Sequence, residues 1–124
     1  MLEFKTMAQA KKEFSQNTHL ILSNAQAQKA CKEYVKESVW AFNSNFLAQV
    51  TKLNKSLFDA IKDNNKCEDN NETILKLVNK FSSLNKITQE AISSDGRGHF
   101  LASYDGHETE IMIGKKVFFV YKNN

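Results

Sequence analysis

One short stretch concentrates residue types that bind small anions: Ser94-Asp-Gly-Arg-Gly-His-Phe100. It holds the only arginine of the chain, Arg97, set between Gly96 and Gly98. A guanidinium grips phosphate or carboxylate with a planar fork, whereas an ammonium acts as a point charge. Flanking glycines let the backbone approach a ligand closely and turn N–H groups toward an anion. The segment therefore has the makings of a small phosphate-binding turn. A plainer reading fits the same residues: a tight hairpin whose arginine pairs with Asp95 or Asp105. The pattern is neither a Walker loop nor a dinucleotide fingerprint, since the Lys-Ser/Thr pair and the third glycine are missing.

Aromatic residues gather near that turn. Phe100, Tyr104, Phe118, Phe119 and Tyr121 could stack a base whose phosphates meet Arg97, or they could simply form core. His99, His107, Asp105 and Glu108 are conceivable metal ligands or acid–base groups. They lack a His-x-His or His-x-x-x-His spacing and have no cysteine beside them, so no metal and no cofactor are expected. His19 is remote from the others in sequence. No Ser/His/Asp or Cys/His arrangement shows a local signature. Cys31 falls on an apolar helical stripe, and Cys67 sits in an acidic loop that would raise its pKa. The residue types point to a binding protein, not an enzyme.

The elements that must position these residues follow from periodicity. Thr6 with Gln9, and Ser23 with Gln26, have the spacing of capping boxes. The first opens a short helix over about residues 7–16. The second opens a long one, with Ala27, Cys31, Tyr34, Ser38, Ala41, Phe42, Asn45, Phe46, Val50, Leu53, Leu57 and Ile61 on one stripe. Unbroken to residue 63, that helix would be about 60 Å long, roughly twice the width of a domain of this size. It must either break around Asn43-Ser44-Asn45 or project and pair with another copy, and a homo-oligomer through this helix is expected. Trp40, beside the stripe, is either an interface residue or packs under the sheet. A polar loop, residues 63–71, precedes a helix carrying Ile74, Leu77, Val78, Phe81 and Leu84.

From Ile87 the period becomes two. Residues 87–92, 100–104, 109–113 and 117–121 read as strands, and Asp95-Gly96, Asp105-Gly106 and Gly114-Lys115 as hairpin turns. His19–Leu22 is a brief strand or the lead-in to the next helix. The expected architecture is one α+β domain over residues 1–124, mainly helical over 1–92 and mainly strand over 93–124: N-terminal helices, one of them long, packed on one side of a C-terminal four-stranded antiparallel meander. The last strand is apolar on both faces, so its second face needs cover from a helix or another subunit.

Composition bounds the partners. Of 17 basic residues 16 are lysines, interleaved with acids, which suits a solvated helical surface rather than a nucleic-acid footprint. No apolar run spans a bilayer and no signal segment opens the chain. The two cysteines do not make a disulfide framework. A cytoplasmic setting with no membrane partner is expected.

The stretch Asp95-Gly-Arg-Gly-His-Phe-Leu-Ala-Ser-Tyr-Asp-Gly106, with Glu108 and the closing Val120-Tyr-Lys-Asn-Asn124, resembles the tail of small accessory proteins of phages and other mobile elements. Among these, size and the helices-then-sheet order look most like the phage anti-Thoeris proteins that sequester cyclic ADP-ribose signals. The resemblance covers about the last 30 residues; the helical part resembles no named family. It implies a counter-defence protein that binds a nucleotide-derived signal without degrading it, as a homo-oligomer with sites near subunit contacts. Arg97 would meet the pyrophosphate, held by the Gly96 and Gly98 turn with His99, and Phe100 or Tyr104 would stack on adenine. Lys122 stands where a second arginine would make a better clamp. Two other classes compete: a phage protein inhibitor of a bacterial defence complex, anti-CRISPR-like, acting by protein–protein contact, and a helical oligomerisation module with Arg97 in a surface ion pair. On the first reading, Arg97→Ala would abolish ligand binding and leave the fold intact.

Overall fold

A computed structural model describes residues 1–64 and 68–124. The chain is α+β and divides into two compact units, Met1–Cys31 with Asp95–Asn124, and Lys32–Ser94. The second boundary falls between Ser94 and Asp95.

The first unit holds a mixed four-stranded sheet in the order β1-β3-β4-β2, built from Leu2–Phe4 (β1), His19–Leu22 (β2), Thr109–Ile113 (β3) and Lys116–Lys122 (β4). β3 and β4 form an antiparallel hairpin, closed by Gly114-Lys115 between Ile113 and its partner Lys116. Gly114 has φ +61° and Lys115 does not have a positive φ, the signature of a II′ turn. β2 pairs antiparallel with β4, and β1 pairs parallel with β3. The sheet is thus not the expected meander. Two of its strands come from the N-terminal part, and two segments expected as strands are not: 87–92 lies in α6 (Leu84–Asp95), and of 100–104 the first two residues end α7 (Arg97–Leu101) while the other three lead into a turn. In α6 the buried residues are Ile87, Thr88 and Ala91, a helical spacing that a short apolar run conceals.

Helices cover both faces of the sheet, not one. The capping box at Thr6 forms as expected: Gln9 N donates to Thr6 Oγ1 at 3.3 Å and Lys5 N to Gln9 Oε1 at 2.9 Å. It starts α1 (Met7–Glu13), whose Ala10 packs with Ile111, Ile113 and Val120, flanked by Phe4, Met7, Phe14, Ile21 and Phe118. The opposite face carries Phe119 and Tyr121, with α7 against β4. Each apolar face of β4 therefore has a helix from its own chain.

The long helix is not formed. The Ser23–Gln26 box opens α2 (Asn24–Glu37), which at 14 residues is about 21 Å long. Ser38 then turns its hydroxyl back to the Tyr34 carbonyl, and Asn71 bridges the break: its Nδ2 donates to Lys36 O at 2.9 Å while its Oδ1 accepts from Trp40 N at 3.2 Å. A short 3₁₀ turn, Val39–Ala41, follows, in which Trp40 is half-buried. Asn43 caps α3 (Ser44–Thr51) by accepting from Phe46 N at 2.8 Å, near the expected break. Lys52, at φ +65°, ends it. With α4 (Lys55–Asn64) and α5 (Asn71–Phe81), these pieces make the helical unit around Leu47, Phe58, Ile74, Val78 and Ile87, all fully buried. The length argument for a homo-oligomer therefore loses its basis. Among the described residues no helix is long and apolar enough to cross a membrane.

Candidate functional site

The glycine–arginine segment folds as the junction between α6 and α7, where a hairpin was expected. Gly96 has φ +82° and separates the two helices, a conformation that side chains disfavour. Gly98 is needed for a different reason. A Cβ there would lie 2.3 Å from the Gly106 carbonyl oxygen and 2.8 Å from the His107 carbonyl carbon. The glycine thus lets α7 close against its own chain at 106–107, and not against a ligand. That loop is set by Gly106 N donating to Ala102 O at 2.8 Å and His107 N to Asp105 Oδ1 at 3.0 Å.

Held this way, Arg97 points inward and is only 9% exposed. Its Nε donates to Glu108 Oε2 at 2.7 Å and its Nη2 to Glu108 Oε1 at 3.2 Å, a bidentate pair. Nη1 donates to Asn24 Oδ1 at 2.8 Å. The guanidinium carbon sits 4.5 Å from the centre of the Phe119 ring, within cation–π range. Tyr121 OH donates to the same Glu108 Oε2. The partner of Arg97 is thus Glu108, neither Asp95 nor Asp105, and the pair is largely buried where the oligomerisation-module reading expected a surface one.

Electrostatics follow from this packing. Burial works to raise the Glu108 pKa, but the hydrogen bonds from Arg97 and Tyr121 and the guanidinium charge outweigh it and hold the carboxyl below its ordinary value. Burial opposes the charge on Arg97 too, yet its bond to Glu108 leaves its pKa raised. Burial, and then donation to Glu108, push the Tyr121 phenol up. Cys31 is fully buried on α2, and burial pushes its thiol up to about 11. A thiol so placed is a poor nucleophile at neutral pH.

The expected ligand residues divide into two groups. Arg97, Gly98 and Phe100 are buried. His99 is exposed, with its ring edge-on to Phe100 at 5.0 Å. Tyr104 is 64% exposed, and Lys122 Nζ lies 4.1 Å from the centre of its ring. Tyr104 N donates to Lys122 O at 3.0 Å, while Ser103 donates through N and Oγ to Asn123 Oδ1 at 3.0 and 2.9 Å. The Tyr104 ring is therefore presented to solvent from a backbone tied to the end of β4. Among the described residues no cluster of three or more His, Cys, Asp or Glu could hold a metal ion; Cys67 lies outside them.

Glu108, Asn24 and Phe119 were not expected as partners of Arg97, nor Tyr121 as a partner of Glu108. The Gly114-Lys115 turn could have found one contact. A two-residue turn fixes the β3–β4 register, and one further step sets Glu108 across from Tyr121. Asn24, 73 residues from Arg97, leaves no local signal. A scan of protein-family models found none that matches the chain, and neither the curated proteins nor the solved structures gave a match.

Proposed function

We propose that this protein is a non-enzymatic binding protein that acts by protein–protein contact, inhibiting a bacterial defence complex through the surface around Tyr104 and Lys122. The observation that carries this is the exposed Tyr104 ring on a backbone held by Lys122 and Asn123. Tyrosine supplies contact area at little cost in conformational entropy and is common among the residues that dominate binding energy. The counter-defence setting rests on the stretch Asp95–Gly106, which resembles the C-terminal tail of small phage accessory proteins. The test is phage plating on bacterial strains that each carry one defence system, with and without this protein. Restored plating on one strain, lost with Tyr104→Ala at unchanged thermal stability, is the expected result. No restoration on any strain, or full restoration by Tyr104→Ala, defeats the proposal.

A second reading, sequestration of a cyclic nucleotide signal such as a cyclic ADP-ribose, is favoured by one feature of the same surface. An exposed aromatic ring with an ammonium over one face offers a base a stacking partner next to a phosphate contact. It gains less from Arg97, whose fork is occupied by Glu108. Saturation at 100 times Kd would add about 2.7 kcal/mol of stability, so a melting shift with the signal recovered intact would favour this reading over the first.

A further inference from the structure

The helical unit contains a cleft of about 330 Å³ lined by Phe46, Gln49, Val50, Lys52, Lys86 and Glu90, apart from every residue discussed for binding so far. We propose that this cleft binds a small phosphate monoester of a flat ring, of about mononucleotide size. Its volume lies at the lower end of the range of roughly 300–1,000 Å³ usual for small-molecule sites.

The lining carries the chemistry such a ligand needs. Two ammonium groups, Lys52 from the end of α3 and Lys86 from the first turn of α6, border one cleft, and a pair of cations suits a phosphate dianion better than a single carboxylate. Lys86 is only loosely engaged, 3.5 Å from Glu90 across a solvent-exposed helical turn. Lys52 has no ion-pair partner among the described residues. Phe46, stacked on Phe42 with centroids 5.0 Å apart, gives an aromatic wall already supported from behind, and Val50 an apolar floor. Gln49 and Glu90 supply an amide and a carboxylate for ring edges and hydroxyls.

The backbone adds an independent observation. Lys52 is the only non-glycine residue with positive φ among those described, at a helix C-cap position where glycine is the comfortable choice. An outlier of this kind often marks a functional position. The side chain kept there at that cost is the unpaired cation of the cleft.

The experiment is a calorimetric and NMR titration of the whole protein with adenosine 5′-monophosphate, beside inorganic phosphate and adenosine. The monophosphate is expected to bind more tightly than either control, with shifts centred on Phe46, Lys52 and Lys86. Lys52→Gly, which the backbone accepts without strain, should weaken binding by about ten-fold or more, as expected for loss of a charge-assisted contact; Lys86→Gln should do likewise. Lys76→Gln, removing an exposed lysine of the same unit that pairs with Glu72, should leave affinity unchanged. No binding of the monophosphate at millimolar concentration overturns the proposal. So does unchanged affinity in Lys52→Gly, or an equal loss in Lys76→Gln, which would mark diffuse charge attraction.

Discussion

Replacing Arg97 separates a ligand-facing arginine from one that holds the fold together. Arg97→Ala removes a side chain that is 9% exposed and strips Glu108 of both guanidinium bonds, leaving it only the Tyr121 hydroxyl. Breaking one side of a buried pair costs about 3–5 kcal/mol. The Glu108 side chain is 29% exposed, so water compensates in part, and we expect a loss of about 2–3 kcal/mol. For a chain of this size each kcal/mol moves the melting point by about 3–5 °C, so Tm should fall by about 6–15 °C. Urea denaturation followed by far-ultraviolet circular dichroism measures the loss. A cycle with Glu108→Gln and the double variant then isolates the pair, whose coupling should exceed about 1 kcal/mol. Arg97→Ala within about 0.5 kcal/mol of the parent, or a coupling near zero, would refute the reasoning. It would restore the expectation that this arginine can be removed with the fold intact.

Acid should act on the same pair. The folded-state pKa of Glu108 lies below its ordinary value of 4.5, so its contribution is complete above that pH and is lost as the pH falls below it; a titration of stability in which Glu108→Gln keeps the full acid sensitivity of the parent would contradict this. Gly98→Ala drives a methyl group to 2.3 Å from the Gly106 oxygen and should cost about 1–3 kcal/mol or more, measured by thermal melting; a neutral effect would mean that the 106–107 loop gives way freely. Buried Cys31, its thiol pushed up to about 11, should resist iodoacetamide in the native protein and react only in denaturant. Rapid native labelling of the peptide containing it, read by mass spectrometry, would show that α2 opens.

Local signals in this chain were legible and long-range ones were not. Both capping boxes, the strands at 109–113 and 117–121 and the Gly114-Lys115 turn rest on residues a few positions apart, and the structure has all of them. The break of the long stripe after Glu37 is bridged by Asn71, more than 30 residues away, and Ser38, which bonds back to Tyr34 there, reads in sequence as one more position of the stripe. Segment 87–92 is short enough to satisfy either period, and only burial of Ile87 with Ala91 separates them. The candidate site failed to be legible for a related reason. A guanidinium between glycines looks the same in sequence whether it faces an anion or a glutamate. The answer lay in the packing of residues 106–107 on Gly98 and in the reach of Asn24.

The sheet joins strands from both ends of its chain, Leu2 beside Ile111 and Leu20 beside Tyr121, with the whole helical unit intervening. During synthesis this sets a timetable. The segment 32–94 has all its internal partners once it leaves the ribosome, while β1 and β2 must wait for β3 and β4 to be made. Until then the N-terminal strands have no ladder to join, and they carry Phe4, Ile21 and Leu22 uncovered. A nascent chain of this protein therefore passes through a stage in which half of it has its full set of contacts and the other half is most open to misassociation. Chaperone dependence should be concentrated in that interval.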